Sequence, residues 1–137
     1  MIVVALIAIA AGLASVSLRD GSEARLEQEA GRLSALLESA RADARASGLS
    51  VRWELASTDS SDGAQFRFIG LPPDRALPQR WLADGMSAEI VGARAVRLGP
   101  EPLIGAQRIV LHLGERRLEL STDGLGPFVA SALEVAP

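Results

Sequence analysis

At 137 residues the chain has room for one small domain and an N-terminal helix. Its formal net charge of −3 provides no basic field for nucleic acid, so we expect no nucleic-acid partner. The absence of cysteine excludes disulfides and thiolate chemistry, and a single histidine excludes a clustered histidine metal site.

The first eighteen residues, Met1 to Leu18, form an apolar segment without charge or proline. As a helix it would span about 27 Å, close to the roughly 30 Å hydrocarbon core of a bilayer. A cleaved signal peptide and a buried core helix are alternatives, but no basic region precedes the run, and such a core helix needs a larger protein around it. We therefore predict a membrane helix. The side chains expected to face lipid or a filament core are Ile2, Val3, Val4, Leu6, Ile7, Ile9, Leu13, Val16 and Leu18.

A helical pattern continues over residues 19–48 and ends at Gly48, where a left-handed cap is expected. Apolar residues recur at spacings of three and four and predict a stripe that packs on a sheet. This packing stripe consists of Leu26, Ala30, Leu33, Leu37, Ala40 and Ala44. Charged residues on the opposite face are expected at the surface: Arg25, Glu29, Arg32, Glu38, Arg41 and Arg45. A short coiled coil is the alternative, and a kink is expected at Asp20–Ser22.

Alternating apolar residues replace the helical pattern after Gly48 and predict a β-rich head over residues 49–137. The expected strands are Leu49–Leu55, Gln65–Leu71, Met86–Val91, Ala95–Leu98, Ile104–Leu113, Arg117–Leu120 and Phe128–Val135. Three prolines make the Leu71–Gly85 segment irregular. The sequence therefore predicts an α+β fold in which a long N-terminal helix, apolar over residues 1–18 and amphipathic over 19–48, packs on an antiparallel β-sheet head.

No pattern of catalytic, cofactor-binding or metal-binding residues is found in the sequence. His112 is expected on an exposed strand face, so we predict a protein that is not an enzyme and needs no cofactor. Trp81 and Leu82 are expected to hold the Leu71–Gly85 segment on the core. The alternative is that they form a contact surface for a partner, together with the Ser57–Gly63 turn.

Two stretches resemble type IV pilin-like proteins, and within that class the minor pseudopilin H family of type II secretion systems (GspH/FimT). They are VVALIAIAAGLASVSLRD running into LEQEAGRLSALLESARADARASG, and EPLIGAQRIVLHLGERRLELSTDGLGPF, Glu101 to Phe128. The resemblance implies a pilin-like fold and a structural subunit near the tip of the pseudopilus, which helps export folded proteins across the outer membrane. Its implied partners are the other minor pseudopilins and the major pseudopilin. A minor pilin of a type IV pilus and a membrane-tethered periplasmic binding module are the alternatives.

The class has a basic leader, a glycine cleavage site and a Phe-Thr-Leu-Ile-Glu-like segment before its apolar helix. Met1-Ile-Val-Val resembles the residues just after that glutamate. The prepilin peptidase site, the N-methylated residue and the assembly glutamate are therefore expected upstream of Met1. A helix-breaking proline common in the class is replaced by Val16-Ser17-Leu18. The resemblance also implies a single-pass protein of the bacterial inner membrane, with its head in the periplasm and a place in the assembled pseudopilus.

Overall fold

A computed structural model describes the backbone of residues 2–57 and 63–132, and the side chains of residues 21–57 and 63–131. Helix α1 is followed by seven strands and one short 3-10 turn. Their bounds are α1 (Ile2–Ser47), β1 (Val51–Leu55), β2 (Phe66–Ile69), the turn Pro73–Arg75, β3 (Met86–Ile90), β4 (Ala95–Gly99), β5 (Gln107–Leu113), β6 (Arg116–Thr122) and β7 (Val129–Ala132). The predicted α+β class, with one long N-terminal helix and antiparallel strands, is confirmed.

The strands form two antiparallel sheets rather than the single sheet that the sequence predicted. One sheet has the order β2–β1–β4 and the other the order β3–β5–β6–β7. In the predicted hairpin of β5 and β6, Ile109 lies opposite Leu120 and Leu111 lies opposite Leu118. All four side chains are buried. The apolar face of this hairpin therefore forms much of the core of the second sheet.

Helix α1 ends where the sequence predicted, because Gly48 adopts a φ of +64° that other residues rarely reach. The N–H of Leu49 then donates to the carbonyl oxygen of Ala44 at 3.0 Å, which is the hydrogen bond of a Schellman cap. Since Leu49 completes the cap, strand β1 starts only at Val51. The kink expected at Asp20–Ser22 does not interrupt the helix.

A helix that could cross a bilayer is not found among the residues that the structure describes. The prediction of a single-pass inner-membrane protein is therefore wrong. The side chains predicted to face lipid or a filament core, Ile2 to Leu18, lie outside the described ones.

The packing stripe of α1 lies against both sheets, and each of its six side chains is at most 3% exposed. Its small alanines let the helix backbone approach the strands closely. At Gly99 of β4, an added Cβ atom would lie 2.7 Å from the Cβ of Ala44. A larger residue at either position would push the helix off the first sheet.

Three aromatic rings pack together under the Leu71–Gly85 segment. The ring centroids of Trp81 and Phe66 are 4.7 Å apart, and those of Trp81 and Trp53 are 6.4 Å apart. Trp81 is only 8% exposed, so it belongs to the core, as the sequence predicted, and its burial argues against the alternative of a contact surface. Its neighbour Leu82 is 62% exposed, so the prediction that Leu82 also holds the segment on the core is wrong.

Candidate functional site

The side chain of Arg41 is buried between α1 and the loops at one end of the head, where it is 1% exposed. Its Nη1 donates to the carbonyl oxygen of Gly126 at 2.8 Å. Its Nη2 donates to the carbonyl oxygens of Gly124 at 2.9 Å, Leu125 at 3.2 Å and Pro102 at 3.3 Å. A single guanidinium therefore joins the helix to two separate loops of the head.

The turn that receives Arg41 is held in shape by its own side chains. Thr122 Oγ1 donates to the carbonyl oxygen of Gly126 at 2.8 Å and accepts from the N–H of Gly124 at 3.0 Å. Asp123 Oδ1 accepts from the N–H groups of Leu125 and Gly126 at 2.9 and 3.0 Å. These hydrogen bonds, that of Gly126 first, lower the pKa of the Asp123 carboxyl below its ordinary value. These hydrogen bonds hold the turn in the conformation in which its carbonyl oxygens face the Arg41 guanidinium.

Burial of the Arg41 charge is offset mainly by carbonyl dipoles rather than by a close carboxylate. The nearest carboxylate oxygen is Glu38 Oε1, which lies 3.5 Å from Nη1. Hydrogen bonds between a charged donor and neutral acceptors contribute about 1.5–3 kcal/mol each, more than neutral pairs. Arg41 is therefore a strong and directional link between helix and head.

Glu29 forms a second link, about three turns earlier along α1, and is 2% exposed. Its Oε1 accepts from the N–H groups of Leu82 and Ala83 at 2.7 and 2.9 Å. Arg32, whose Nη1 lies 3.7 Å from Glu29 Oε2, donates to the carbonyl oxygen of Arg80 at 3.1 Å. Glu29 and Arg32 therefore hold the Leu71–Gly85 segment against the helix. We call Glu29 and Arg41, with the backbone groups that they bind, the helix clamp.

Sequence reasoning placed Glu29 and Arg41 on the exposed face of α1, and this prediction is wrong for both residues. At about 100° per residue, each lies about 60° from the centre of the packing stripe, on opposite sides of it. Loops of the head wrap both flanks of the helix and cover the two side chains. The signal was present in the sequence, because a charged residue so near an apolar stripe is a candidate for burial.

A cleft of about 450 Å³ lies between the turn end of the β1–β2 hairpin and strand β3. Residues 55–57 and 63–65 form one wall, the first three residues of β3 form the other, and Trp81 also lines it. None of these lining residues is charged. The cleft adjoins the Ser57–Gly63 turn that the sequence proposed as a contact surface, of which residues 58–62 lie outside the described ones. Leu82 belongs to the same proposed contact surface, but it lines a separate depression beside Glu29.

Among the residues that the structure describes, no titratable side chain lines this cleft. His112 is 30% exposed, and its Nε2 lies 3.6 Å from Glu89 Oε1 on the neighbouring strand. Within the described part of the chain, no group of three or more histidine, aspartate or glutamate residues could hold a metal ion. The arrangement is suited to holding polypeptide segments together.

Comparison with protein-family models, with curated proteins and with solved structures finds no match for this chain.

Proposed function

We propose that this chain is a non-enzymatic structural subunit of a pilin-like filament, of the minor-pseudopilin kind that its sequence resembles. The observation that carries the proposal is a single helix of 46 residues that the head grips over its second half. Described contacts between helix and head extend from Glu23, whose carboxylate lies 3.6 Å from Arg116, to Ala44 beside Gly99. Before this grip the chain has the uncharged run up to Leu18 and then Arg19, Asp20, Gly21 and Ser22.

A helix that is apolar on every side needs other apolar surface around it. At about 1.5 Å per residue, the uncharged residues 2–18 account for about 26 Å of helix. Similar helices from neighbouring subunits would cover this surface, because burial of apolar area is favourable whichever apolar partner provides it. A bundle of such helices, with heads outside, is the arrangement of a helical filament.

The helix clamp suits a subunit that must transmit force. A filament that pushes or is pushed loads its subunits along the helices, and the heads must not slide relative to them. Arg41 and Glu29 resist sliding because their hydrogen bonds are directional and join the helix to loops far apart in the sequence. An ordinary apolar stripe of alanines and leucines would offer less resistance to a shift along the axis.

Site-specific cross-linking in the native cell tests the proposal, and the absence of cysteine makes single-cysteine variants clean. A benzophenone maleimide on Ala8→Cys should give photo-adducts with the apolar helix of another pilin-like subunit. The matched control is Ala42→Cys, an exposed position on the gripped half of the same helix, which should give no such adduct.

Mass spectrometry of the adduct then identifies the neighbour. A pseudopilin places the chain in a secretion filament, and a type IV pilin places it in a pilus. If Ala8→Cys gives only uncross-linked chain, or the same adducts as Ala42→Cys, the filament proposal is wrong.

A further inference from the structure

We draw no further inference here: the strongest candidate, the exposed stripe of small residues that Ala24, Gly31, Ala35 and Ala42 form on the gripped half of α1, carries none because nothing in the described structure shows what covers it.

Discussion

The Nη2 of Arg41 donates a 2.9 Å hydrogen bond to the carbonyl oxygen of Gly124, 83 residues later in the chain. This contact joins the C-terminal part of the long helix to the glycine-rich turn near the C-terminal end of the described head. Its strength depends on a turn that is already shaped by Thr122 and Asp123. Five predictions test the helix clamp and the core that it covers.

Replacement of Arg41 by methionine should lower the free energy of unfolding by about 3 kcal/mol, because several buried carbonyl oxygens lose their donor. Arg41→Lys should recover only part of this loss, since an ammonium group cannot span both loops with a planar fork. Urea denaturation followed by circular dichroism provides the measurement. Arg45→Met, at an exposed position one turn later, is the control and should change the free energy by less than about 0.5 kcal/mol. Equal effects at the two positions would contradict the clamp.

Glu29→Ala should destabilise the chain by about 2 kcal/mol, because the N–H groups of Leu82 and Ala83 lose their acceptor. Glu29→Gln keeps an acceptor oxygen and should cost less. Hydrogen exchange should speed up at Leu82 and Ala83 in the alanine variant. Glu27→Ala, which changes an exposed residue of the same helix, should leave both amides unaffected. Unchanged exchange in Glu29→Ala would show that the segment is held by the aromatic core alone.

The lowered pKa of Asp123 predicts a pH-dependent contribution to stability. The folded chain binds the proton of this carboxyl more weakly than the unfolded chain, so the ionised form stabilises the fold. The contribution is present above the unfolded pKa of about 4 and is lost as the pH falls through the folded pKa. The difference in Tm between the unaltered chain and Asp123→Asn should therefore shrink from about pH 6 to about pH 2. A difference that stays constant over this range would rule out the carboxylate as its cause.

Gly124→Ala should be far more costly than Gly114→Ala. Both residues have positive φ, +98° and +62° respectively, so both substitutions strain the backbone by about 1 kcal/mol. At Gly124 the new Cβ would also lie 2.7 Å from the backbone nitrogen of Gly105, whereas nothing lies within 4 Å at Gly114. We expect a loss of about 3 kcal/mol for Gly124→Ala in thermal unfolding. Equal losses of stability in the two variants would mean that the loop of Gly105 moves to make room for the new Cβ atom at no cost in free energy.

Trp81→Ala should lower the free energy of unfolding by about 3–5 kcal/mol, because it removes a ring packed on Trp53 and Phe66. Leu82→Ala, at a residue that is 62% exposed, should change it by less than about 0.5 kcal/mol. Urea denaturation of both variants makes the comparison. If Trp81→Ala leaves the free energy of unfolding unchanged, Trp81 does not stabilise the core, and the alternative of a contact surface is favoured.

Local patterns in the sequence were enough to predict the helix, its cap and the main hairpin. Spacings of three and four identified all six residues that α1 buries in its packing stripe, because helical geometry alone brings them onto one side. Gly48 marked the end of the helix, since its left-handed conformation is a local property. Alternation in β5 and β6 predicted the face that Ile109 and Leu120 share.

Only the tertiary structure decided which charged residues are buried and which sheet edges are blocked. The sequence placed Arg41 at the surface, because helical periodicity does not show how far loops of the head wrap around the helix. Likewise, Gln107 blocks the edge of β4 only because the two sheets meet beside Arg97. Such contacts join residues far apart along the chain or in different sheets, so their donors and acceptors meet only after the helix and strands have packed.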